Sequence, residues 1–123
     1  MAATARAFLD DVMSADGFVA PDGMSQALRI AKSELAIALG LSRDAVSKTA
    51  RLKARATQAR LRDVAEIINR VLPWAGSPAQ AFAWYRAQPL PSFGDRTAED
   101  LVKEGHAEAV KAYLSRIAVG GYA

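Results

Sequence analysis

Apolar residues recur along this chain three and four positions apart, and no stretch alternates convincingly with a period of two. Over 4–14 the pattern puts Phe8, Leu9, Val12 and Met13 on one face of a helix. Asp16-Gly17 breaks it, and Pro21-Asp22-Gly23 is a second turn signal. A short helix over 25–31 presents Leu28 and Ile30. Ser33 caps a further helix that turns Leu35, Ala36 and Leu39 inward. Gly40 ends it, as a left-handed residue does just past a C-terminus. Ser42 then caps a helix carrying Val46. The longest periodic stretch, 58–72, aligns Leu61, Val64, Ala65, Ile68, Val71 and Leu72, and Pro73 stops it before a turn at Trp74-Ala75-Gly76.

Beyond that turn, Ser77-Pro78 reads as cap and first residue of a helix reaching Gln88. Pro89 and Pro91 bound an extended stretch. Thr97 caps a short helix holding Leu101 and Val102, with Asp100 placed as the acid of a capping box. Gly105 interrupts. The last helix carries Ala109, Val110, Tyr113, Leu114 and Ile117 and frays into Gly120-Gly121. The spacing therefore predicts an all-α chain of about eight short helices. The expected division falls after Pro73, into an N-terminal part, 1–73, and a C-terminal part, 74–123.

Length and composition narrow the class. A chain of 123 residues makes one domain, or two very small ones sharing a core. With 51% hydrophobic residues it is not disordered. It has no cysteine, which excludes disulfides and cysteine-based metal sites. No apolar run approaches the ~20 residues that cross a bilayer, and Asp10 and Asp11 interrupt anything like a signal-peptide core. The expectation is a soluble, cytoplasmic protein. The single histidine, His106, stands between Glu104 and Glu108 at helical spacing, a pattern that more often marks a solvated face than a metal site or a catalyst. Ser92-Phe93-Gly94-Asp95 lacks phosphate-loop spacing. No enzymatic activity, cofactor or metal is expected.

Charge changes the picture in one place. Between Arg43 and Arg62 seven basic residues face only Asp44, so a chain of net charge +3 carries +6 there and −3 elsewhere. Positive charge concentrated on a mildly acidic body suits a polyanion partner; it also suits a solvated helix face. The same segment overlaps a spacing with structural meaning. A helix-turn-helix needs a small residue where its helices meet, glycine at the turn and an apolar residue under the second helix. Ala36, Gly40 and Val46 supply these, with Leu35, Leu39 and Leu41 filling the other inward positions. Arg43, Asp44, Ser47, Lys48 and Arg51 then lie outward on the second helix, able to meet base edges and flanking phosphates in a major groove. Lys53 and Arg55 follow as phosphate contacts. The spacing resembles Xre/Cro-type DNA-binding modules; a helical hairpin built only for packing would use the same geometry.

The C-terminal part balances five basic against five acidic residues, so it is no second DNA-binding face. Trp84 and Tyr85 are adjacent and cannot both face one core, which leaves one partly exposed, either as an interface residue or lying along the surface with its polar tip in water. The order Trp84, Pro89, Phe93-Gly94, Thr97, Asp100-Leu101, Gly105, Val110, Leu114, Ile117 and Gly120-Gly121-Tyr122-Ala123 resembles the toxin-binding domain of Xre/MbcA/ParS-type antitoxins. With the helix-turn-helix, the resemblance spans about 33–123. Ala98 departs from it, standing where proline commonly follows the threonine.

The resemblance implies an antitoxin that binds operator DNA and neutralises a RES-domain toxin, one that consumes NAD or modifies proteins with ADP-ribose. It implies steric inhibition, the C-terminal segment covering the toxin's NAD cleft. Gly120 and Gly121 would allow close backbone approach, and Tyr122 with the carboxylate of Ala123 would anchor the segment. Trp84, Tyr85, Phe93, Asp95 and Arg96 complete the expected toxin-binding set. Reading two half-sites calls for a homodimer, for which the face of Phe8, Leu9, Val12 and Met13 and the helix over 58–72 are candidates. Two other readings stand beside this one: a dimeric transcription regulator without a toxin partner, and an interaction module with a degenerate helix-turn-helix.

Overall fold

The computed structural model describes residues 2–120 and the side chains of 7–118. Among the described residues the chain is all-α. In order come α1 (Ala2–Val12), α2 (Pro21–Leu28), α3 (Lys32–Leu39), α4 (Arg43–Ser47), α5 (Thr49–Leu52), α6 (Arg55–Ala75), α7 (Pro78–Ala87), a 3-10 turn (Pro91–Phe93), α8 (Ala98–Lys103) and α9 (Ala107–Gly120). The only extended pairing among the described residues is two isolated bridges, Met13 with Val19 and Leu90 with Arg96.

Helix α6 is the spine. Its 21 residues bury Leu61, Val64, Ile67, Ile68, Val71 and Leu72, and α1, α7 and α9 pack along it. From α1 come Phe8 and Val12, from α7 Phe82 and Tyr85, and from α9 Val110 and Leu114. Each such side chain, fully buried, contributes on the order of 1.5–3 kcal/mol. The buried cluster runs without interruption from Phe8 to Leu114, across the position after Pro73.

Several local signals act as the sequence indicates. Gly40 adopts φ 69 past α3, and Ser42 accepts from the N–H of Ala45 at 3.2 Å. Ser77 caps α7 with Pro78 at its first turn, and Thr97 and Asp100 form a reciprocal capping box on α8. Others act differently. Pro73 does not stop α6, which continues to Ala75 and closes where the N–H of Gly76 (φ 92) reaches the carbonyl of Leu72 at 2.9 Å. A proline this near a C-terminus removes only one helical hydrogen bond, and the buried Val71 and Leu72 hold the turn in place. Pro21-Asp22-Gly23 is the first turn of α2, not a loop, with proline at a first-turn position where a missing N–H costs nothing. Gly23 serves there as a crossing point, because a β-carbon would come within 2.5 Å of the Asp11 carbonyl. Ser33 caps nothing: it lies inside α3, whose N-cap is Ala31, two residues earlier. Gly120 belongs to α9 instead of a frayed end.

Candidate functional site

Two surfaces follow from this framework, and α3 joins them. The last four carbonyls of a helix have no partner within it. In α3 all four find one outside. The N–H of Leu41 reaches Ala36 at 2.9 Å and that of Gly40 reaches Ile37 at 3.0 Å, closing the turn locally. The hydroxyl of Tyr85 donates to Ala38 at 2.8 Å, and the guanidinium of Arg60 donates to Leu39 at 2.7 Å. Arg60 thus places a cation at a helix C-terminus, where the macrodipole favours it.

The first surface is the helix-turn-helix-like unit. Leu35, Ala36 and Leu39 of α3 and Ala45 and Val46 of α4 are buried. Arg43, Asp44, Ser47, Lys48, Arg51, Lys53 and Arg55 are all exposed on the other side. The expected single helix through Arg51 is not formed. It breaks at Lys48, which is extended (φ −85, ψ 124), and Arg51 lies on the separate α5. α5 buries no residue, so no apolar anchor holds a continuation. The seven exposed residues do not share one environment. Lys53 pairs with Asp16 at 3.4 Å and lies over the Phe18 ring at 5.3 Å, and the Ser47 hydroxyl donates to the Arg43 carbonyl at 2.7 Å. Of the other basic residues in the segment, Arg60 caps α3 and Arg62 donates to the carbonyl of Gly17 at 3.3 Å.

The buried amide of Gln58 stabilises this surface from below. It donates to the carbonyls of Val19 (3.0 Å) and Leu52 (2.7 Å) and accepts from the N–H of Val19 at 2.8 Å. One side chain thereby ties the end of α5 to the turn after α1. The sequence gives no sign of this, since a glutamine at the start of a periodic helix reads as solvent-facing.

The second surface is the loop 90–96 with α7, α8 and α9 around it. The loop is closed at its base: the buried Leu90 exchanges hydrogen bonds with Arg96 and Asp95, each at 3.0 Å. Gly94 and Asp95 follow one another in the left-handed region, φ 67 and 66. Phe93 meets the edge of Tyr113 with ring centroids 5.8 Å apart, which fixes the loop on α9. Arg96 pairs with Glu104, and Asp95 stays exposed. A hollow lined by Ser92, Tyr113, Arg116 and Ile117 adjoins this loop near the end of α9. Tyr113 and Ile117 are expected in the core; both are half-buried, because among the described residues α9 turns Ala107, Val110 and Leu114 inward.

Tyr85 is a correction. It is fully buried, stacked on Phe82 at 5.9 Å and bonded to Ala38, so it presents nothing to a partner and its hydroxyl does not lie in water. Burial pushes its phenol well above the usual tyrosine range, which keeps it a donor. The exposed member of the pair is Trp84, half-buried in an apolar hollow shared with Trp74, Val71 and Ala83. Trp74, expected in a turn, stands in the last turn of α6 and is 44% exposed. Gly121, Tyr122 and Ala123 lie outside the described residues.

His106 is exposed. Glu104 is engaged by Arg96 and Glu108 by Lys111, and among the described residues no three His, Asp or Glu side chains gather around a common point. No described helix is long and apolar enough to cross a membrane.

Residues 65–120 match the model of the antitoxin Xre/MbcA/ParS C-terminal toxin-binding domain. The chain carries an Xre/MbcA/ParS toxin-binding domain. The match starts within α6 and takes in α7, the loop 90–96, α8 and α9. It includes Trp84, Phe93, Asp95, Arg96 and Gly120, and it stops short of the basic segment on one side and of Gly121 on the other. No curated protein and no solved structure matches the chain. The Xre/MbcA/ParS domain is not a separate body. Besides the Tyr85 bond, Arg86 of α7 reaches Glu34 of α3 at 2.8 Å and Glu99 of α8 at 3.3 Å, and Lys103 closes on Glu99 at 2.8 Å.

Proposed function

We propose that this chain neutralises a RES-domain, NAD-consuming toxin by covering its active-site cleft with the C-terminal segment, and that it binds operator DNA as a cytoplasmic homodimer to repress its own synthesis. It acts by binding alone, with no catalysis and no cofactor. The observation that carries the reading is the toxin-binding domain over 65–120, built onto an exposed basic helix-turn-helix-like surface.

The loop 90–96 supports the toxin half of the reading. It is closed at its base and fixed on α9, so it offers Phe93, Asp95 and Arg96 at little ordering cost. Gly121 to Ala123 follow directly from α9. Two glycines let the backbone lie close to a cleft wall, and Tyr122 supplies an aromatic anchor. The test is co-expression with the RES-type reading frame beside its gene. Neutralisation restores growth and cellular NAD together. Growth restored without a change in NAD would point to a toxin that modifies proteins with ADP-ribose. No effect on any neighbouring toxin would favour the transcription regulator instead.

A further inference from the structure

We propose that the cleft between the turn at 14–22 and the α4–α5 segment is a seat for a DNA backbone phosphate, held by Lys32 and Lys53, and that Asp16 and Asp22 occupy these lysines until DNA displaces them. The proposal rests on the DNA-binding reading and adds Lys32, Thr49 and two acidic competitors to it.

The cleft has a volume of about 290 Å³ and is lined by Lys32 and Lys53, Asp16 and Asp22, and the side chains of Ser47 and Thr49 among others. Lys32 pairs with Asp22 at 2.9 Å and Lys53 with Asp16 at 3.4 Å. All four side chains are 41–73% exposed. Exposed pairs of this kind are weak and readily exchanged, whereas a phosphate that takes both lysines also releases condensed counterions from the duplex. Phe18 carries the Lys53 ammonium over its ring, which keeps that cation at the cleft when its carboxylate partner leaves. The Ser47 hydroxyl is committed to the Arg43 carbonyl. That of Thr49 has no partner among the described residues and is available to a phosphate oxygen. Arg43, Lys48 and Arg51, which make no ion pair among the described residues, flank the seat on α4 and α5.

Asp16 is itself held in place, by the Ser14 hydroxyl, and its carboxyl lies below the usual range because of that bond, outweighing desolvation, with help from Lys53. It therefore stays anionic wherever DNA binding is measured. The arrangement lowers affinity for any polyanion, specific site and random sequence alike, and leaves base readout untouched.

The experiment is fluorescence anisotropy of full-length protein with two labelled duplexes, one carrying the region upstream of its own gene and one of scrambled sequence, across a salt series. Lys32→Ala should weaken both duplexes alike and reduce the slope of log K against log salt by about 0.9. The isosteric Asp16→Asn, Asp22→Asn protein should bind both about tenfold more tightly at low salt, the gain fading as salt screens it. Thermal melts by circular dichroism check folding, and the Asp→Asn arm stands alone if Lys32→Ala unfolds. Wild-type binding that Arg51→Ala weakens, while both other variants match wild type, overturns the phosphate seat and leaves DNA binding standing. Wild-type protein that binds neither duplex overturns both.

Discussion

The hydroxyl of Tyr85 on α7 donates to the carbonyl of Ala38 in the last turn of α3, 2.8 Å away. The toxin-binding domain thus completes the end of the helix from which the turn at Gly40 departs. Replacing Tyr85 by Phe leaves the ring in place and the Ala38 carbonyl unpaired in the core. The expected cost is about 1–2 kcal/mol, measured by urea unfolding. Intrinsic fluorescence should show the Trp84 environment intact. A variant as stable as wild type would mean that water or another donor reaches Ala38.

Lys111 makes a second tie, between α9 and α6. Burial opposes its charge, but hydrogen bonds to Asp63, Glu108 and Glu66 outweigh that and hold its ammonium well above the usual lysine range. A folded value raised above the unfolded one gives stability that is complete below about pH 10 and is lost as pH climbs toward the folded value. Lys111→Met should therefore lower stability by roughly 1–3 kcal/mol at neutral pH, between the values for exposed and buried pairs, because its partners are partly exposed. The gap from wild type should narrow above about pH 10.4. Thermal melts at neutral and strongly alkaline pH decide it; a gap that widens with pH contradicts the assignment.

The basic residues of 43–62 should separate into two kinds. Lys48→Ala or Arg51→Ala should weaken binding to the upstream site by about 1–3 kcal/mol with unchanged melting temperature. Arg60→Ala should do the reverse, lowering stability because Leu39 loses its donor, with little direct effect on DNA. Gel shifts paired with melts check both. Equal binding by wild type and the Lys48→Ala, Arg51→Ala double variant removes the groove assignment.

Deleting residues 119–123 should leave the fold intact, since Ala107, Val110 and Leu114, the buried residues of α9 among those described, all precede the cut. DNA binding should persist. Neutralisation of the toxin should fail, read as growth arrest on co-expression. Full rescue by the truncated chain would shift the inhibitory contact to 93–96, and Phe93→Ala with Asp95→Ala would be the next variant.

The expected dimer face is narrower than the sequence indicates. Phe8 and Val12 are buried within the chain, as are Leu61, Val64, Ile68 and Leu72 of α6, while Leu9 (37%) and Met13 (39%) remain exposed beside Ala65, Arg62 and Glu66. If two copies meet there, Leu9→Glu with Met13→Glu should yield a folded monomer by light scattering and weaken DNA binding. A dimer unaffected by the pair would place the interface elsewhere, the Trp74 and Trp84 hollow being the next face to alter.

The helices, their order and most caps were legible in the sequence, because they depend on local rules. Periodic Leu61, Val64, Ile68 and Leu72 specify α6 wherever it packs. Gly40, Ser42, Ser77 and Thr97 satisfy backbone groups within a few residues of themselves, and so acted as their types predict. The family, too, was recognised by resemblance, in the order of residues from Trp84 to Ala123, and the match over 65–120 supports it. Tertiary structure decided the rest. Packing of Val71 and Leu72 carried α6 through Pro73, against a rule that considers one helix alone. The absence of a buried side chain on α5 broke the expected recognition helix at Lys48. Tyr85 went inward and Trp84 partly outward because the free carbonyl of Ala38 lay 47 positions away in sequence, where no local pattern records it. Local spacing names the faces of a helix, but which face is covered, and which polar group meets which, depends on residues that only the folded chain brings together.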